Sequence, residues 1–106
     1  MKNILIYEYI TGGGLINEDL NHNLLFEANL MLESLISDFS KSDNIKYNYL
    51  IDYRLKKLSK IPQSIVIKNS SELYNVSILE KFDFIIPILP ESNLLLYKYS
   101  KFLEEN

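Results

Sequence analysis

Short apolar runs alternate along the chain with stretches in which apolar residues recur every three or four positions. Ile4 to Tyr9 is the first run, apolar at nearly every position except Glu8. That pattern predicts a central strand covered on both faces. Leu25, Ala28, Leu32, Leu35 and Phe39 then form one helical stripe, widened by Met31 and Ile36, and predict a helix over 24–39. Asn21 or Asn23 is placed to cap it. Residues 45–51 alternate apolar with polar and predict a second strand, more exposed on one face. Residues 55–61 have room for one or two helical turns before Pro62. A third strand is expected over 65–68 and a helix over 71–81, started by Ser70 or Ser71 with Glu72 in its first turn. The fourth strand, 84–88, contains Pro87, which lacks a ladder donor and so belongs at an edge or an irregularity. A last helix is expected over 92–103.

Strands alternating with helices imply a parallel sheet covered on both faces. The fold expectation is α/β: a Rossmann-like three-layer domain with a mainly parallel four-stranded sheet. Ile4, Ile6, Leu25, Leu32, Leu35, Val66, Leu79 and Ile85 are the expected core. At 106 residues the chain is one domain with one core.

Composition removes several function classes. A net charge of −3 argues against a nucleic-acid binder. The short basic run of Arg54, Lys56, Lys57 and Lys60 reads first as a solvated face. The absence of cysteine excludes disulfides, thiolate metal sites and a cysteine nucleophile. No apolar run is long enough for a signal peptide or a membrane span, so a soluble cytoplasmic protein is expected.

Three constellations have chemical potential. All three glycines, Gly12, Gly13 and Gly14, follow Thr11 at the end of the first strand. Consecutive amides without side chains can form an anion-binding concavity, although neither a dinucleotide fingerprint nor a P-loop is spelled out. The plainer reading is a tight turn. Glu8 and Glu91 fall near strand ends that a parallel sheet places on one rim, where carboxylates could hold a substrate amine. For Glu91 the plainer reading is an acid at a helix start. Asp52 and Arg54 close the second strand, as a surface pair or with Arg54 as an anion ligand. His22 is the one histidine and reads as a surface or capping residue; the eight tyrosines read as core or sheet surface.

Three stretches also carry a resemblance. They are Tyr7-Glu8-Tyr9-Ile10-Thr11-Gly12-Gly13-Gly14, the helix with Ala28-Asn29-Leu30-Met31-Leu32 that ends in Ser37-Asp38-Phe39, and Pro90-Glu91-Ser92-Asn93 after an apolar strand. In this order they resemble the N-terminal portion of ATP-grasp proteins, in the group that includes tyramine–glutamate ligase. Asp52-Tyr53-Arg54 fits the Asp-x-Arg that often closes the second strand there. The resemblance implies a pre-ATP-grasp domain on the substrate side of an ATP-dependent carboxylate–amine ligase. Glu8, Thr11, Gly12, Gly13, Gly14, Arg54 and Glu91 would contact substrate. ATP and magnesium are implied only for a longer parent, because the segments that hold them in that family are not among these residues. The implied partners are an ATP-grasp domain of the same polypeptide and a small-molecule substrate, with no catalytic or metal-ligating residue in this chain. The competing expectation is a small flavodoxin-like binding or interaction module, in one version a homodimer.

Overall fold

The computed structural model describes residues 2–58, 63–89 and 95–105. Strand β1 spans Lys2–Glu8, β2 Ile45–Asp52, β3 Ser64–Ile67 and β4 Phe84–Ile88. They form one sheet in the order β3-β2-β1-β4, with every neighbouring pair parallel. Helix α1 spans His22–Ser40, α2 Val76–Leu79 and α3 Leu95–Glu105, with 3-10 turns at Tyr53–Leu58 and Ser70–Tyr74. The fold is thus the expected small Rossmann-like α/β domain. No helix among the described residues is long and apolar enough to cross a membrane.

Alternation along the strands divides the core in two. Ile4, Ile6, Tyr49 and Ile51 face one way and pack with Leu32 and Ile36 of α1. Leu5, Tyr7, Leu50 and Ile67 face the other way and pack with Leu73, Leu79 and Tyr99. β1 is buried from Leu5 to Tyr7 because both layers cover it. Ile4, Ile6, Leu32 and Leu79 are buried as expected, while Leu25, Leu35, Val66 and Ile85 are half-buried at the margins. Met31 does not join the stripe and is 49% exposed.

α1 starts two residues earlier than the pattern suggests, because Asn21 accepts from the amides of Asn23 and Leu24. The single helix expected over 71–81 is instead two pieces. Glu72 folds its carboxylate back onto the amides of Lys68 and Asn69, which holds Ser70–Tyr74 as a 3-10 turn. Asn75 then adopts an extended backbone and caps α2 through the amide of Ser77. A side chain that bonds local backbone competes with helix continuation, and here it wins.

Pro87 sits on an edge strand, as its chemistry requires. The carbonyl of Ile88 accepts from Tyr9 N, so Ile88 faces β1. Strand residues alternate in the direction of their polar groups, so Pro87 faces away from β1. The missing donor therefore falls on the open side of the sheet.

Candidate functional site at the strand ends

β1 ends at Glu8, where the sheet order reverses: β2 and β3 lie to one side of β1, and β4 to the other. In open parallel sheets this switch point, outside the carboxyl ends of the strands, is where ligands bind. Glu8 is only 5% exposed. Its Oε1 accepts from Thr11 N at 2.7 Å and from Thr11 Oγ1 at 2.8 Å. Its Oε2 takes no hydrogen bond from any described residue. Thr11, with 1% exposure, is a positioning group whose hydroxyl is too buried to attack a substrate.

The glycines are explained by what lies against them. A Cβ on Gly12 would stand 2.5 Å from the Glu8 carbonyl and 2.8 Å from the Tyr7 ring. On Gly14 it would collide with the Tyr9 ring. Gly13 has φ of +96°, and its Cβ would stand 2.7 Å from Ile67 Cγ2 at the end of β3. The amides of Gly12 and Gly14 donate to the carbonyls of Glu8 and Tyr9, each at 2.8 Å. Only the Gly13 amide is without such a bond among the described residues, so the loop does not present a ring of free donors. The donors that hold Glu8 come from Thr11 and not from the glycine amides.

The loop is fastened across the sheet. Asp52 N donates to Thr11 O at 2.7 Å, which fixes the turn over the end of β2. Asp52 is fully buried and is held by Arg54 through Nε at 3.0 and 3.2 Å and Nη2 at 2.7 Å. This is a buried carboxylate and not the surface pair that the spacing allowed. Arg54 also reaches the carbonyls of Glu18 at 2.6 Å and Leu15 at 2.8 Å. Among the described residues, one Nη1 hydrogen of its five N–H donors has no acceptor. The Asp52 hydrogen bond raises the Arg54 pKa further above its ordinary value. Arg54 is thus a clamp between the loop after β1 and the end of β2.

Tyr7, the residue before Glu8, belongs to an aromatic cluster on the sheet face opposite to α1, which the sequence assigned only to core or sheet surface. Tyr7 and Tyr99 meet edge to face with centroids 5.1 Å apart, and Tyr74 meets Tyr99 at 5.6 Å and Phe102 at 5.0 Å. Tyr99 donates its hydroxyl to Leu73 O. Burial pushes the hydroxyl pKa of Tyr7 and Tyr99 well above the ordinary tyrosine value. Burial also raises that of Tyr9, with the nearby Glu18 charge adding to the effect.

The parallel sheet gathers Glu8, Thr11, Gly12 to Gly14, Asp52 and Arg54 at one rim. Glu91, Lys60 and the Pro90-Glu91-Ser92-Asn93 turn lie outside the described residues. His22 is the exposed first residue of α1 and belongs to no site. Among the described residues, no three His, Asp or Glu side chains gather as a metal site. A separate cavity of about 440 Å³ opens at the other end of β4, between Leu79, Phe82, Phe84 and Phe102. No protein family, characterised protein or solved structure matches the chain.

Proposed function

We propose that the chain is a substrate-side domain of an ATP-dependent carboxylate–amine ligase, not catalytic alone and working in the cytoplasm beside an ATP-grasp domain of the same polypeptide. The observation that supports this reading best is Glu8. Its carboxylate stands at the switch point with one oxygen fixed by Thr11 and the other without a partner among the described residues. A fixed anion with one unused oxygen suits the ammonium group of a substrate, through a charge-assisted hydrogen bond. Glu8 would hold the amine, and the loop pinned by Arg54 would keep Glu8 in place. In such a reaction the carboxylate would take the γ-phosphoryl group of ATP with release of ADP, and the amine, after losing a proton, would attack the acyl phosphate and release phosphate. ATP and magnesium would be held by the partner domain.

The test uses Glu8→Gln. The amide oxygen can still accept from Thr11, so stability should fall by only about 1 kcal/mol. The negative charge is gone, so binding of small primary amines, followed by NMR shifts of the Thr11 and Gly12 amides, should be lost. Amine binding that survives in the variant would remove Glu8 from the role. The reading frame after Asn106 tests the assembly: an ATP-grasp segment supports the reading, and a stop codon at that point overturns it.

A further inference from the structure

Helix α1 is apolar on the side that needs no apolar residues. Ala28, Leu32 and Ile36 are buried against the sheet. Phe26 and Leu30 lie one turn apart on roughly the opposite side of the helix. They are 66% and 52% exposed. A helix that is apolar on both sides is normally covered on both sides.

The helix itself carries Glu and Asp but no Lys or Arg. Residues 3–40 contain no Lys or Arg. Glu27, Glu33 and Asp38 are exposed on this helix. Glu33 flanks the Phe26–Leu30 ridge on one side and Glu27 on the other. Asn29 donates to Glu33 at 3.1 Å, which holds that carboxylate beside the ridge.

We infer that the outer face of α1 docks a cationic, apolar segment of a protein partner, in which Lys or Arg flank large aliphatic or aromatic residues. Phe26 and Leu30 supply the apolar contact, and Glu27 and Glu33 set the register and select the charge. A second copy of the chain fits poorly, because pairing two α1 faces opposes the same carboxylates. An anionic lipid surface is repelled for the same reason. This inference is independent of the amine site at Glu8, which lies at the strand ends.

The experiment titrates the whole chain with two synthetic amphipathic helices, one of Leu and Lys and one of Leu and Glu. Binding is read by calorimetry and by amide shifts. The Leu/Lys peptide should bind, shift amides between Asn23 and Ser34, and weaken in high salt; the Leu/Glu peptide should not bind. Phe26→Ser with Leu30→Ser, and separately Glu27→Lys with Glu33→Lys, should each weaken the Leu/Lys peptide by about tenfold or more. Both pairs are exposed, so thermal melts should match the parent, and the charge-reversed variant should gain affinity for the Leu/Glu peptide. Equal affinity for the two peptides, shifts that map elsewhere, or affinity unchanged in both variants would overturn the inference. So would a concentration-dependent dimer that Phe26→Ser with Leu30→Ser abolishes, since the occupant would then be a second copy. Binding to phosphatidylglycerol vesicles lost in the same variant would assign the face to lipid instead.

Discussion

Arg54→Met removes the guanidinium from Asp52 while keeping most of the aliphatic stem. The carboxylate of Asp52 then has one remaining partner among those described, the Arg54 amide at 2.9 Å. Asp52 itself is fully buried, so its charge is left uncompensated. Removing one partner of a buried pair costs about 3–5 kcal/mol. The Arg54 side chain is 27% exposed, so water can reach part of the vacated space. That lowers the expectation to about 2–4 kcal/mol. The carbonyls of Leu15 and Glu18 also lose their donor, but they lie near solvent and add little. For a domain of this size such a loss lowers the melting temperature by about 10–20 °C. Urea unfolding followed by circular dichroism reads the energy. Hydrogen exchange at Ile16 and Glu18 reads the loosened loop. Adding Asp52→Asn should restore part of the loss, because the buried charge is then absent. An unfolding free energy within 0.5 kcal/mol of the parent, on the scale of ordinary surface substitutions, would refute the clamp and return Arg54 to the pool of free anion ligands.

Three further outcomes follow from the same contacts. Gly13→Ala places a Cβ at positive φ against Ile67 and should cost more than about 1 kcal/mol by urea unfolding; a neutral result would mean that the turn relaxes freely. Leu32→Ala empties a site that is 3% exposed and should cost about 2–5 kcal/mol in the same assay, and an unchanged melt would mean that α1 is rotated from the position described. Burial raises the Tyr7 and Tyr99 pKa in the folded state, so their contribution to stability is fully present below the unfolded value of about 10 and is lost as pH rises above it. Tyrosinate absorbance should therefore show late phenols, Tyr7 and Tyr99 among them, that titrate together with loss of the circular dichroism signal; all eight ionising before any structural change would refute it.

The sheet was legible because each strand carries its own evidence. Ile4 to Tyr7 is apolar on both faces, and Pro87 could only sit at an edge. What local periodicity could not show was competition from side chains. Glu72 and Asn75 break the helix after β3 by bonding backbone, and a count of apolar spacings is blind to that. The rim was legible as a gathering of strand ends but not as a set of bonds. Asp52 and Arg54 are two residues apart, yet their anchoring depends on Leu15 and Glu18, more than thirty positions away. Likewise, Gly13 answers to Ile67 on a strand that the sequence places far downstream. The Asp52-x-Arg54 pattern was the available signal for the clamp, and Thr11, three residues after Glu8, was the one for the carboxylate's partner.

Pro87 has a consequence for the chain before it folds. Phe84-Ile85-Ile86-Pro87-Ile88-Leu89 is an uncharged, strongly apolar six-residue segment with no glycine. Without the proline it would meet the description of a segment that stacks into cross-β fibrils. The ring removes a donor from the middle of that segment, so identical copies cannot pair in register along its full length. Before the chain folds, the same residue should therefore hinder pairing between copies of β4. Pro87→Val would be expected to shorten the lag time of thioflavin-detected aggregation, even where the folded domain accommodates the new side chain.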